Sequence, residues 1–170
     1  MPSGKEFIKH EFDEAIAIQE SIVASATKLQ TSHPVAAVKR QIKADLTVDR
    51  RHLEQLRRFG KPFGAAGKRE EVAVALGSLA DETAAKAGSE ESEAYEAHAV
   101  LLNLKRKQQD SADAMIKIAR DRKDTDLRDA ATAMKKEIKA SADGLGKLGR
   151  LRGPHRVYLT GGRCNEPRMA

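Results

Sequence analysis

Four long segments of this chain carry apolar residues at alternating steps of three and four, and each stripe turns polar near its middle. Steps of three and four put residues on one face of an α-helix. A carboxylate or imidazole inside a core-facing stripe is costly unless it finds a partner. Such segments can therefore fold in two ways: their polar stretches face water, or they face one another. The clearest case is His33 to Phe59. Its stripe runs Val35, Val38, Ile42, Asp45/Leu46, Asp49, His52/Leu53 and Leu56, apolar at both ends and acidic with a histidine between.

The other stripes repeat the theme. Gly4 to Gln30 carries Phe12, Ala15/Ile16, Gln19, Ile22/Val23, Ala26 and Leu29. Glu90 to Arg122 carries Tyr95, His98/Ala99, Leu102, Lys105/Arg106, Gln109, Ala112/Asp113, Ile116 and Ala119. A fourth helix follows to about residue 148, with Leu127, Ala130/Ala131, Met134, Glu137/Ile138, Ser141/Ala142, Leu145 and Leu148, capped by Asp124 or Thr125. Gly144, Gly146 and Gly149 weaken its end. Thr31–Pro34 breaks the first helix from the second, with Ser32 as N-cap and Pro34 in the following first turn. Gly60, Pro62, Gly64 and Gly67 end the second helix. A shorter helix over about 68–86, with Val72, Leu76, Leu79, Ala80 and Thr83 at helical spacing, fills the connection to the third. The short break makes the first two helices antiparallel neighbours. The expected fold is therefore all-α: an antiparallel four-helix bundle with a long crossover between its second and third helices. An open coiled coil is the alternative, but polar interruptions at mid-length in every helix suit a closed bundle better. The core should contain Phe12, Ile16, Ile22, Ile42, Leu53, Leu56, Leu102, Ile116, Met134 and Ile138.

Composition agrees with this division. Aromatic residues are 4% and tryptophan is absent, too little for a sandwich or barrel, while charged residues reach 33%. The bundle should occupy residues 1–150 and a basic, flexible tail residues 151–170. The net charge is +6, of which the tail supplies +3 from Arg152, Arg156, Arg163 and Arg168 against Glu166. Elsewhere the signs are interspersed, which reads as a solvated surface, and the run Leu104 to Lys107 reads as part of that face. Nucleic acid is not expected as a partner except through the tail. Two tyrosines are too few for a base-stacking platform. One cysteine, Cys164, excludes an internal disulfide and a cysteine metal cage, so a reducing, cytoplasmic setting is expected. The first residues show no signal-peptide h-region, and no run is long and apolar enough for a membrane span. A homodimer through helix faces is compatible with the stripes.

The run from Ala37 to Gly64 resembles the second helix of ferritin-like proteins, nearest to small bacterial stress-associated members, in its acidic and histidine positions and its ending Leu53-Glu54-Gln55-Leu56 before a glycine. The layouts of Tyr95–Leu102 and Leu127–Leu148 are similar to that family's later helices, and the resemblance covers about residues 5–149. It implies a mid-bundle metal centre holding iron, manganese or zinc and a stress-related role. Such a centre takes a carboxylate from each of two helices and a Glu-x-x-His pair from each of the other two. Asp49 and His52 have that i, i+3 spacing, with Asp in place of Glu. Glu137 is followed at the corresponding position by Ala140 rather than histidine. The first helix offers Gln19 and the third Gln109, with Asp113 one turn on. The candidate metal residues are therefore Asp45, Asp49, His52, Glu137 and Asp113. The donor set is half that of an oxidase and points away from catalysis. His98 reads as structural, and His10, His33 and His155 as surface residues. Glu14 and Glu20 read as solvent-facing partners within their own helix. Antiparallel pairing across Thr31–Ser32 should place Gln19 opposite Asp45, and pairing across Lys123–Asp124 should place Gln109 beside Glu137.

Two functional classes remain. One is a ferritin-like protein holding a metal weakly. The other is a non-enzymatic helical module whose polar seam fixes register at some loss of stability.

Overall fold

The computed structural model describes residues 4–67, 71–88 and 91–152. Every regular element among them is helical: α1 Gly4–Ser32, α2 Ala36–Gly60, α3 Glu71–Lys86, α4 Glu91–Arg122 and α5 Thr125–Arg152, with a 3-10 turn at Lys61–Phe63. The basic tail expected over 151–170 lies outside the described residues beyond Arg152. α5 runs on through Gly144 and Gly146. Its backbone packs there against Gln41 and Leu102, which compensates the missing side chains.

The turns follow from identifiable groups. α1 closes when His33 N–H bonds to the Leu29 carbonyl at 3.1 Å. Ser32 belongs to this last turn and does not cap α2. The N-cap is Val35, which has no side-chain cap bond, and its own N–H donates to His33 Nδ1 at 3.1 Å. His33 is 0% exposed, not a surface residue, because that bond draws the imidazole inward against Tyr95 and His98. α4 ends with Lys123 in the left-handed region, φ 56°. Asp124 N–H reaches the Ala119 carbonyl at 2.9 Å and Lys123 N–H the Arg120 carbonyl at 3.1 Å, a Schellman closure. Asp124 Oδ1 then accepts from Leu127 N–H at 2.9 Å and caps α5 as expected.

Inter-helix bonds set direction. Lys107 on α4 pairs with Glu14 near the start of α1, while Tyr95 and His98 meet His33 at its end, so α1 and α4 are antiparallel. Ser141 pairs with Asp45 and Glu137 with His52, so α2 and α5 are antiparallel too. α1 also packs on α2, and α4 on α5. α3 climbs beside α1 and α4: the chain leaves α2 near Phe12, Gly67 touches Ile16, Lys28 pairs with Asp81 and Gly88 lies by Ser32. Small residues, Ala80, Ala84 and Ala87, let α3 approach closely. Leu79 is 43% exposed instead of on the buried stripe. Buried Asp13 anchors the loop before α3, accepting from Ala66 N–H at 2.7 Å and Gly67 N–H at 2.9 Å. Gly67 is required there. Its φ is 69°, and a Cβ would stand 2.7 Å from Ile16 Cγ2.

The apolar core falls into two clusters. One gathers Ile18, Ile22, Leu29, Val38, Ile42, Leu46, Leu101, Leu104 and Leu145, with the alanines of α3. The other gathers Phe12, Ile16, Leu56, Met115, Ile118, Leu127, Met134 and Ile138. The expected core holds for Phe12, Ile16, Ile22, Ile42, Leu56, Met134 and Ile138, while Leu53, Leu102 and Ile116 are only partly buried. On α4 the expected stripe holds at His98, Lys105, Ala112 and Ala119, but the buried face extends to its other side through Ala94, Ala97, Leu101, Leu104, Gln108 and Met115 in place of Leu102, Gln109 and Ile116. It has the same period as the expected one, and facing helices alone select between them.

Candidate functional site: a polar layer between two apolar clusters

On every long helix the polar interruption falls between residues of the two clusters, so the interruptions share one level. α1 brings Gln19, α2 Asp49 and His52, α4 Lys105 and Gln108, and α5 Ser141, all buried. At the centre is an ion pair. Lys105 Nζ donates to Asp49 Oδ1 at 2.8 Å and Oδ2 at 2.7 Å, with Lys105 1% and Asp49 3% exposed. Lys105 is thus core and not part of a solvated basic face. Its stem lies on the buried face of α4 with Leu101, Leu104 and Gln108, and its ammonium meets the carboxylate that α2 turns inward. Gln19 Nε2 donates to the Asp49 carbonyl at 2.9 Å and Gln108 Nε2 to the Ala15 carbonyl at 3.2 Å.

The partner of Gln19 is Asp49, one turn beyond the expected Asp45. The chain reverses at His33–Val35, not at Thr31–Ser32, and the pairing shifts accordingly. The displacement of the α4 face puts Gln108 in the layer beside Lys105 and leaves Gln109 partly exposed. A lysine in a run of three basic residues gave no sign of burial by composition. The available signal was the stripe itself, which already passed through Lys105/Arg106 at its polar middle.

A cleft of about 240 Å³ opens beside the layer between α2 and α5, and Asp45, Asp49, His52 and Glu137 all contribute to it. These four candidates are therefore brought together. Asp113 is not: it sits on the outside of α4, bonded by exposed Lys135 at 2.6 Å, because the displacement of the buried face turns it away. His52 Nε2 stands 2.7 Å from Glu137 Oε2, and Arg51 donates to the same oxygen at 2.6 Å. A carboxylate only accepts, so the network assigns the His52 proton to Nε2. Burial lowers the His52 pKa against the opposing pull of Glu137, which keeps the ring neutral. Burial pushes Glu137 up, but bonds from His52 and Arg51 outweigh it and hold its carboxyl below the usual value. Asp45 accepts from Gln41 Nε2 at 2.9 Å and from Ser141 Oγ at 2.5 Å. Glu14 and Glu20 bind across helices, to Lys107 and Arg57 at 2.8 Å each, rather than along their own.

The donor chemistry can be set against a ferritin-like metal centre. Both oxygens of Asp49 face an ammonium, Glu137 is shared by a histidine and an arginine, and Asp113 lies elsewhere. Among the described residues no three His, Cys, Asp or Glu side chains stand together so as to hold a metal ion. The residues present do not fit a two-metal centre. The central carboxylate of the layer is neutralised by Lys105. Among the described residues no helix is long and apolar enough to cross a membrane. Compared with known proteins, the chain matches no family model and no curated sequence.

Proposed function

We propose that the protein is a non-catalytic helical scaffold of ferritin-like order, in which α1, α2, α4 and α5 form the bundle and α3 is the crossover. Support for the order comes from the antiparallel pairs α1–α4 and α2–α5 and from the path of α3 back along α1. The observation that carries the functional reading is the Asp49–Lys105 pair. An internal ammonium occupies the mid-bundle carboxylate where a cation would otherwise be bound, so the layer carries its own counter-charge. A layer of this kind sets register: sliding α2 against α4 by one turn would separate Asp49 from Lys105 and strand two buried charges. The scaffold's working surfaces are then its outer helix faces.

The test is titration of chelator-treated protein with iron(II) or zinc, for wild type and Asp49→Ala. Neither should bind stoichiometrically at mid-bundle, and the wild-type melting temperature should not move. Stoichiometric binding that Asp49→Ala abolishes would overturn the scaffold reading in favour of a metal centre.

A further inference from the structure

We propose that the outer face of α2, continued onto α5, docks the phosphate backbone of double-stranded DNA without regard to its sequence. The fold sorts charges that the sequence intersperses. α2 holds seven cations against three acids, a balance of +4 in a chain whose total is +6. α5 holds seven against four, whereas α1 and α3 are net acidic and α4 is balanced. Packing sets the two basic helices side by side. Two of the three acids of α2 are turned into the bundle, Asp49 against Lys105 and Asp45 against Gln41 and Ser141. What α2 shows to solvent is a stripe at steps of three and four, Arg40, Lys43, Thr47, Arg50, Glu54 and Arg57, all exposed. It lies opposite the buried stripe of Val38, Ile42, Leu46 and Leu56. Arg57 is held by Glu20 and Arg51 by Glu137, but Arg40, Lys43 and Arg50 have no ion-pair partner among the described residues. At about 1.5 Å per residue the stripe is about 25 Å long. Lys136 and Lys147, exposed on α5, share a helix face with Ala140, which lines the cleft against α2, and they widen the basic side.

The chemistry of this side selects among polyanions. The exposed large apolar side chains, Phe7, Val74 and Leu79, are on α1 and α3. The α2–α5 side thus offers no apolar anchor for a lipid surface or for the core of a protein interface. The aromatic ring of α2, Phe59, is covered by the Arg58 guanidinium at 4.4 Å and gives unpaired bases no platform. Arginine makes up five of the seven cations of α2, and its planar fork matches phosphate oxygens. A row of cations without base-reading amides binds a duplex through its backbone. The major groove of B-form DNA, about 12 Å wide, admits the projecting side of a helix, whereas that of an A-form duplex is too narrow. The inference names the partner of one outer face and in that sense rests on the scaffold reading. The two fail separately: mid-bundle metal uptake with DNA binding retained overturns only the scaffold, and absent DNA binding with no metal uptake overturns only this inference.

The test is fluorescence anisotropy of a labelled, mixed-sequence DNA duplex titrated with the full-length protein at about 50–200 mM salt. Micromolar binding is expected at the low-salt end. The logarithm of the binding constant should fall against that of salt with a slope of about −4, the mark of four to five phosphates neutralised. Lys43→Gln/Arg50→Gln removes two exposed, unpaired cations and should leave the urea midpoint unchanged. It should weaken binding about tenfold and flatten the slope by about two. Arg40→Gln, at the far end of the stripe, is the second variant and should weaken binding about threefold. Lys117→Gln/Arg120→Gln takes the same charge from α4 and should change affinity by about twofold at most. The same is expected of Arg156→Gln/Arg163→Gln/Arg168→Gln, which tests the basic tail. Absent or salt-independent binding, wild-type affinity in Lys43→Gln/Arg50→Gln, or binding lost with the tail arginines would overturn the proposal. So would tighter binding to an RNA duplex, to polyglutamate or to phosphatidylserine vesicles than to the DNA.

Discussion

Replacing Lys105 by methionine keeps most of the side-chain volume and removes the ammonium. In the native protein Nζ lies 2.7–2.8 Å from both oxygens of Asp49, and both residues are almost fully buried. At an effective dielectric constant of about 20 the gross attraction at that distance is about 6 kcal/mol. Desolvation of two charges cancels most of it, so the intact pair contributes little net stability. The single variant is different. It leaves a buried carboxylate with no cation, and the expected loss is about 3–5 kcal/mol. Asp49→Leu alone should lose a comparable amount by stranding the ammonium. The double variant Asp49→Leu/Lys105→Met strands neither charge and should recover most of the loss. Urea denaturation of the four proteins at neutral pH closes the cycle, with unchanged m-values showing that each unfolds as the wild type does. A single-variant loss below about 1 kcal/mol, or a double variant that simply adds the two losses, would refute the reasoning: Lys105 would then reach water and the layer would not be an internal ion pair.

Three further outcomes are expected. Burial and the neighbouring His98, with a smaller contribution from Lys39, lower the His33 pKa to about 4. The unfolded chain therefore binds more protons between about pH 6.5 and 4, so stability falls as pH is lowered through that window, by up to about 3 kcal/mol at 1.36 kcal/mol per unit. Tyr95 and His98 face the same ring, and His98 donates Nε2–H to the Leu145 carbonyl. Denaturation midpoints of wild type and His33→Gln across pH 7 to 4 should show a clearly flatter profile for the variant, and parallel profiles would exclude His33 as the source. Leu101→Ala should cost about 2–5 kcal/mol in chemical denaturation and Leu102→Ala clearly less, since only Leu101 is fully buried; the reverse order would show that the α4 stripe is misplaced. Lys123→Gly should raise stability by about 1 kcal/mol, because glycine adopts φ near 56° without the side-chain penalty; a lower thermal midpoint would mean that Lys123 makes a compensating contact.

The sequence by itself determined the helices and some of their ends. The spacing of Phe12, Ile16 and Ile22, and of Val38, Ile42 and Leu56, is a property of one chain segment and needs no neighbour. So does the cap at Asp124, whose partner Leu127 is three residues away. The glycines and Pro62 after Phe59 stop α2 by local conformational preference alone. The mid-length polar change was also visible, and from it the existence of a layer. What only the tertiary structure decided was the phase of α4 and the partners within that layer. Periodicity fixes a stripe's pitch but tolerates rotation by about one residue, and Leu101/Gln108 and Leu102/Gln109 satisfy the same steps. Burial of opposing surfaces chooses between them. The structure buries Leu101, Leu104 and Gln108 together with Lys105, leaves Leu102 and Gln109 partly exposed, and turns Asp113 outward. The shift from Asp45 to Asp49 opposite Gln19 has the same origin. It depends on where His33 tucks beneath the turn, a contact with Tyr95 and His98 some sixty residues away in the chain, which no local pattern encodes.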